Sequence, residues 1–199
     1  MSGGETRMEN ELGDKSFSDT ATVNDPTLES LKNEIIQDVY REIQEKILTP
    51  HYQQSSFISN LVEAHAHEYE NKVSSEHYKL LHDVVTQHFG GYGPIQKFID
   101  DHRIGEIMVN GPKQVFIERE GHLIETDVTF DNDAHVLAVI HHILKPLGRF
   151  VDYEHPTVDA RLPDGSRVNV VVPPVAHRGP CITIRKFLKD KLTMEQIIG

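Results

Sequence analysis

The stretch that most constrains the fold of this chain covers residues 157–187. Two runs rich in β-branched residues meet at Pro163-Asp164-Gly165, where proline fixes φ and glycine accepts a positive φ. The second run, residues 167–172, is followed by two prolines, which cannot donate hydrogen bonds to a sheet and so end a strand. Residues 181–184 then alternate small or polar with apolar side chains, which is typical of a half-buried strand. The pattern predicts a β-hairpin followed by a third strand.

Four arginines lie in these predicted strands or next to them: Arg161, Arg167, Arg178 and Arg185. A guanidinium satisfies its donors best on a planar anion, so arginines on adjacent strands indicate a phosphate or a carboxylate ligand. The simpler alternative is that all four are solvated or salt-bridged at the surface of an acidic protein. Spacing alone favours that alternative.

The same residues resemble a known family. The motif DARLPDGSRVNVVVPP followed by ITIRKF is similar to the N-terminal domain of type II/IV secretion ATPases, and most similar to the CpaF/TadA type that assembles tight-adherence (Flp) pili. Two upstream segments support the resemblance, FGGYGPI at residues 89–95 and EIMVNG at residues 106–111. It covers the second half of the chain, from Tyr92 onwards.

The resemblance implies a role for the arginines. In this family the N-terminal domain closes over ATP and Mg²⁺ held by a motor domain, and arginines reach the terminal phosphates. By motif position Arg167 and Arg185 take this catalytic role, and Arg161 and Arg178 are further candidates for nucleotide binding. The expected assembly is a homo-hexamer formed through the motor domain. It would be cytoplasmic and peripheral to the inner membrane, and would dock on the pilus or secretion platform proteins there.

The chain has no Walker A motif, because no Gly-Lys dipeptide occurs in it. We therefore expect this chain to be inactive as an ATPase by itself. An amphipathic pattern that opens at Thr193 is cut at Gly199, so we also expect the chain to be the front part of a longer protein that carries the motor.

Two other functions stay open at this stage. A non-enzymatic adaptor would direct the arginines at carboxylates of a partner protein. A regulatory sensor would bind a nucleotide or another small anion, and would do so as an isolated domain.

Composition excludes several classes. A net charge of −11 argues against a nucleic-acid-binding surface, which needs clustered lysine and arginine. No window approaches 18 consecutive apolar residues, so no transmembrane segment is predicted. The single cysteine, Cys181, rules out an internal disulfide, and its strand pattern predicts a small buried residue.

The predicted fold class is α+β, in four parts. Residues 1–26 form a disordered tail, because they contain hardly any apolar side chains. Residues 27–90 form a small three-helix bundle, with helices at about 28–47, 55–72 and 75–89 and Ser75 as a cap. Residues 91–190 form a PAS-like mixed α/β domain with antiparallel hairpins, and residues 191–199 begin a linker helix.

Within the α/β domain, the glycine-rich segment 90–94 predicts a hinge before a short helix at 95–101. Strands follow at 107–109 and 115–118, and a third strand ends at Phe130. Residues 131–133 can cap a helix that stops near Pro146.

Histidine is abundant, with 13 residues that include His65, His67 and the adjacent pair His141 and His142. Positions two apart on a helix point to different faces, so His65 and His67 cannot easily share an ion. We predict no metal site and interpret these residues as solvated histidines. Asp100, Asp101, Asp131 and Asp133 lack the spacing of a calcium loop, and we interpret them as a solvated face and a helix cap.

Overall fold

The computed structural model describes residues 25–48 and 57–187, and within these ranges the protein has the predicted α+β class. The helices are α1 Pro26–Lys46, α2 Phe57–His67, α3 Ser75–His88, α4 Gln96–Asp100 and α5 Asp133–Leu144. The strands are β1 Ile104–Asn110, β2 Val115–Arg119, β3 His122–Glu125, β4 Thr157–Arg161, β5 Arg167–Val171 and β6 Cys181–Arg185. The predicted tail up to residue 24 and the predicted helix from Thr193 lie outside the described residues.

The three predicted N-terminal helices are present, and each of α1, α2 and α3 packs against the other two. Asp25 caps α1 by accepting a hydrogen bond from the Thr27 amide at 2.8 Å, and Pro26 opens the helix. The prediction for α3 was wrong by one residue. Its cap is Ser74, whose hydroxyl oxygen accepts from the His77 amide at 3.3 Å.

The six strands form one antiparallel sheet in the order β3-β2-β1-β6-β5-β4. The predicted hairpin is β4–β5, closed by the turn Pro163-Asp164-Gly165 with Gly165 at φ +93°. Strand β6 then lies between β5 and β1, so the β4–β5 hairpin and the strands β1, β2 and β3 share one sheet. Both the hairpin and the following strand are confirmed.

The third strand is shorter than predicted, since β3 ends at Glu125 and not at Phe130. All four residues of β3 are exposed at the sheet edge. The chain then leaves the sheet where the backbone amide and the hydroxyl of Thr126 both donate to the Val115 carbonyl, at 2.9 and 3.0 Å. Phe130 is fully buried, and its amide donates to the Pro112 carbonyl at 2.8 Å.

The helices and the inner face of the sheet contribute to one contiguous hydrophobic core. Helix α5 is buried at nine of its twelve positions, as expected for a helix that is apolar on most sides, and it also packs against α1. Gly93 sits beside α5 at φ +55°, where an added Cβ would lie 3.0 Å from Val139 Cγ2. The domain boundary predicted near residue 90 stays a prediction. In the structure this segment packs against the hydrophobic core that the N-terminal helices and the sheet share.

Alternation along the strands divides the sheet into an inner and an outer face. On β5 and β6 the inner positions are Val168, Val170, Ile182 and Ile184, all buried. Cys181 is only half-buried because it lies on the other face of β6, and the prediction of a buried cysteine was wrong. This outer face carries the arginines.

Candidate functional site on the outer face of the sheet

Three of the four predicted arginines lie side by side across three strands. Arg161 on β4 is the register partner of Arg167 on β5, and Arg167 is the register partner of Arg185 on β6. We call these three residues the arginine row. Cβ atoms of directly opposed residues in an antiparallel pair lie about 5 Å apart, so the fold places three guanidinium stems on one line of one face.

The arginine row has no internal counter-ion within residues 25–48 and 57–187. No ion pair or side-chain hydrogen bond is formed there by Arg161, Arg167 or Arg185, and all three are exposed. Glu106 on β1 is the register partner of Arg185, but no ion pair joins the two. Opposed like charges destabilise a sheet, so an unpaired row of this kind favours an external anion.

A groove of about 550 Å³ runs along the β4 end of the row. It is lined by Leu147, Arg149, Asp159, Ala160, Arg161 and Arg167. Arg149 was missed by the sequence analysis because it follows the left-handed Gly148 in an irregular segment, where no pattern links it to the strands. Asp159 already accepts a hydrogen bond from the Asn169 side chain at 3.0 Å. The groove therefore offers three guanidiniums and one carboxylate that has a neutral partner.

Arg178 lies apart from the other three. It precedes β6, and its carbonyl lies next to Gly111, at the end of the sheet where Cys181 pairs with Asn110. Arg185 is at the opposite end of β6, about 13 Å along the strand at roughly 3.3 Å per residue. The structure thus brings Arg161, Arg167 and Arg185 together and separates Arg178 from them.

A second group of basic residues, around Asp101, differs from the arginine row. Arg103 donates to both Asp101 carboxylate oxygens, at 3.0 and 2.9 Å, and Arg119 reaches the same carboxylate at 3.3 Å. The hydrogen bonds from Arg103, with the nearby Arg119 charge, hold the pKa of Asp101 well below its usual range. We call Asp101, Arg103, Arg119 and Lys186 the Asp101 cluster.

Lys186 belongs to this cluster through the backbone beside it. Its ammonium donates to the carbonyls of Phe98, Ile99 and Asp101, at 3.2, 2.7 and 2.7 Å. These carbonyls lie in the last turn of α4 and just after it, where a helix leaves acceptors without backbone partners. Burial lowers the pKa of Lys186 although neighbouring aspartates oppose the shift. Through these hydrogen bonds Lys186 links the end of β6 to the C-terminal end of α4.

A third polar group was not found from the sequence and lies between the helices and the α/β domain. The Tyr40 hydroxyl on α1 lies 2.6 Å from His88 Nε2 on α3 and donates to Asp131 Oδ2 at 2.9 Å. His135 on α5 stacks beside His88, with ring centroids 4.7 Å apart. We call these four residues the histidine cluster. Only the spacing of Asp131 and His135, one helical turn apart, could have indicated part of it.

Burial dominates the electrostatics of the histidine cluster. It lowers the pKa of His88, and together with the His88 charge it lowers the pKa of His135 to about 4. Burial and the Asp131 hydrogen bond raise the pKa of Tyr40 far above its usual range. All three rings are therefore neutral near pH 7.

The histidines singled out in the sequence behave differently from one another. His65 and His67 diverge as predicted, since His65 lies 3.0 Å from Glu42 on α1 and His67 lies 2.8 Å from Glu70. The side chain of His67 is 72% exposed, but that of His65 is only 15% exposed, so its interpretation as a solvated histidine was wrong. The contact between α1 and α2 shields the His65 side chain from solvent. His142 is exposed and His141 is half-buried.

Comparison with known proteins gives the family to which this chain belongs. The family model described as Type II/IV secretion system protein matches residues 89–198, more than half of the chain. The chain therefore belongs to the type II/IV secretion system protein family.

Individual relatives match the same half. An uncharacterized protein of Methanocaldococcus jannaschii is 38% identical over 113 residues, which cover 55% of this chain and 15% of that protein. The type IV secretion system protein VirB11 of Brucella suis is 32% identical over 107 residues, which cover 51% of this chain and 28% of that protein. The chain spans well under half the length of both relatives.

A solved structure is also similar, the crystal structure of the VirB11 ATPase from the Brucella suis type IV secretion system in complex with sulphate. It is 28% identical and superposes with a TM-score of 0.48, covering 53% of this chain and 33% of that one. Among the described residues, none of the helices combines the length and the apolar character needed to cross a bilayer.

Proposed function

We propose that this chain is the N-terminal region of an ATPase of the type II/IV secretion family, of the CpaF/TadA type, which powers assembly of Flp/Tad pili or protein secretion. Three findings support the proposal. The family model matches residues 89–198, relatives named as type IV secretion system proteins match the same region, and the hairpin motif of residues 157–187 lies in that match.

The observation that carries the proposal is the arginine row. Three guanidiniums share one line of the sheet, and no carboxylate of the described ranges pairs with them. A triphosphate is the kind of ligand that can accept from several guanidiniums at once. Arg167 occupies the centre of the row, with an arginine on either side, so the summed positive potential of the three charges should be highest there.

The remaining parts of the proposed machine lie in other domains and other subunits. ATP and Mg²⁺ would be held by a nucleotide-binding domain, since this chain has no Gly-Lys dipeptide for a Walker A loop. Closure of the present domain would bring Arg167 and Arg185 to the terminal phosphates, where they neutralise charge that develops in the transition state. Arg161 would bind the nucleotide beside them, with Arg178 as a further candidate on the same domain.

The assembly that follows from this proposal is a homo-hexamer on the cytoplasmic side of the inner membrane, docked on pilus or secretion platform proteins. The net charge of −11 is compatible with partner proteins more than with nucleic acid. The exposed faces of α1 and α2 are then available for contacts outside the nucleotide site.

The test is ATP hydrolysis by the natural protein that carries this sequence. We expect Arg167→Ala and Arg185→Ala each to lower kcat about a hundredfold, because they remove stabilisation of the developing phosphate charge. Arg103→Ala is the matched control, since its guanidinium is already engaged by Asp101, and it should leave kcat within about twofold. Circular dichroism checks that all three variants are folded.

Two results would overturn the proposal separately. A natural protein that does not hydrolyse ATP would contradict the motor function and favour an adaptor. An active protein whose Arg167→Ala and Arg185→Ala variants keep their kcat would retain the motor function but reject the role of the arginine row.

A further inference from the structure

The histidine cluster contains three side chains in a geometry suited to a metal ion. His88 Nε2 lies 3.4 Å from Asp131 Oδ2, and Asp131 Oδ2 lies 3.7 Å from His135 Nδ1. One donor atom from each of the three residues falls within 4.8 Å of the others. The donors come from the end of α3, from the loop before α5 and from the first turn of α5.

These separations can be compared with a tetrahedral zinc site. Nitrogen and oxygen ligands at about 2.0–2.1 Å from a tetrahedral ion lie about 3.3–3.4 Å from one another. The separation between His88 and Asp131 already has this value, and that between Asp131 and His135 exceeds it by a few tenths of an ångström. Side-chain movements would complete the three-ligand arrangement, provided that the Tyr40 hydroxyl, now 2.6 Å from His88 Nε2, shifts away from that nitrogen.

The hydrogen bonding of His135 independently indicates a ligand. The residue is 4% exposed, and its Nε2 is buried with no hydrogen-bond partner in the described part of the chain. Its Nδ1 has only a long contact of 3.5 Å from the Asp131 amide. Burying a polar ring with so few partners costs free energy. Nδ1, the nitrogen that lies 3.7 Å from Asp131 Oδ2, is thus only weakly engaged and can take an ion, whereas Nε2 would still need a water molecule from the adjacent cavity.

The cluster is also accessible. A cavity of about 610 Å³ lies beside it, and His88, Asp131 and His135 all line this cavity. The Asp131 side chain is 53% exposed, so an ion can reach its carboxylate from solvent. The same cavity can supply a water molecule as a fourth ligand.

We propose that His88, Asp131 and His135 bind one divalent transition-metal ion, with Zn²⁺ as the best fit, and that a water molecule takes the fourth position. Two imidazoles and one carboxylate are a donor set that Zn²⁺ accepts. Tyr40 is a hydrogen-bonding neighbour of Asp131 and not a ligand. The ion would join α3 to α5 and so connect the N-terminal helices to the α/β domain.

The experiment is Zn²⁺ titration of the purified chain after EDTA treatment and dialysis, followed by calorimetry and elemental analysis. We expect one equivalent bound with a Kd in the micromolar range or tighter, and a rise in Tm, because a ligand that binds only the folded state stabilises it. Asp131→Asn and His135→Gln should weaken binding at least tenfold.

Two controls separate a metal site from alternatives. Tyr40→Phe removes the hydroxyl that joins His88 and Asp131, and should keep the affinity within about threefold. His67→Ala removes an exposed histidine and should have no effect, which tests for adventitious binding by a histidine-rich chain. If His135→Gln does not fold, Asp131→Asn decides the result, since its amide oxygen can still accept from Tyr40.

The proposal is overturned if no saturable one-to-one binding is found. It is also overturned if Asp131→Asn binds Zn²⁺ like the wild type, which would place the ion elsewhere, or if Tyr40→Phe abolishes binding, which would make Tyr40 part of the ligand set.

Discussion

Arg185 and Lys186 are neighbours in the sequence, but they differ in the hydrogen-bond partners that the fold supplies to their side chains. Arg185 lies in the arginine row, exposed and without an ion-pair partner in the described ranges. Lys186 donates to three carbonyls at the end of α4. The two residues have the same charge, and the difference lies in whether the fold supplies acceptors.

The same contrast holds for the two basic regions as wholes. In the Asp101 cluster one carboxylate serves both Arg103 and Arg119, so each guanidinium has an anionic partner within the protein. In the arginine row no carboxylate of the described ranges pairs with Arg161 or Arg167. A cation that is satisfied internally stabilises the fold, and a row of unsatisfied cations is available for recognition.

The largest expected effect on stability is at Lys186. Lys186→Met keeps the apolar stem but leaves three carbonyls without their donor, and should lower the free energy of unfolding by about 2 kcal/mol. Arg185→Met, the matched control next to it, should change stability by less than about 0.5 kcal/mol. Urea unfolding of the two variants compares them. Equal losses would contradict the distinction between the two regions.

The pH dependence should come next in size and should involve the Asp101 cluster. The folded pKa of Asp101 is lowered, so its contribution to stability is present above the unfolded value near 4 and is lost as the pH falls below it. Thermal melts between pH 3 and pH 6 should show a flatter acid side for Asp101→Asn than for the wild type. An unchanged slope would show that this carboxylate is not coupled to folding.

The smallest expected effect is that of the arginine row on the stability of the free protein. Replacing Arg161, Arg167 and Arg185 together by alanine should leave the free energy of unfolding within about 1 kcal/mol, with a slight gain at low salt as repulsion is relieved. Tripolyphosphate should raise the Tm of the wild type but not of the triple variant. A triple variant that unfolds would assign these arginines a structural role.

Local pattern was sufficient for most elements of the fold. The spacing of Leu28, Ile35, Val39 and Ile43 predicted α1, and the Pro163-Asp164-Gly165 turn predicted the β4–β5 hairpin, because both signals act over a few residues. The end of β3 was predicted too late because residues 126–130 resemble a strand locally. They leave the sheet through hydrogen bonds to Val115 and Pro112, which are distant in sequence.

For the site, the sequence determined the residue types, and the tertiary structure decided their partners. Period-two alternation places Arg167 and Arg185 on the outer faces of their strands whatever the rest of the fold does. Only the strand order brings Arg161, Arg167 and Arg185 into one row, sends Arg178 to the other end of the sheet and adds Arg149 to the groove. The histidine cluster could not be predicted from the sequence either, since Tyr40 and Asp131 are 91 residues apart. Their contact depends on how α1 packs against the domain, and that is a property of the shared core and not of any local stretch of sequence.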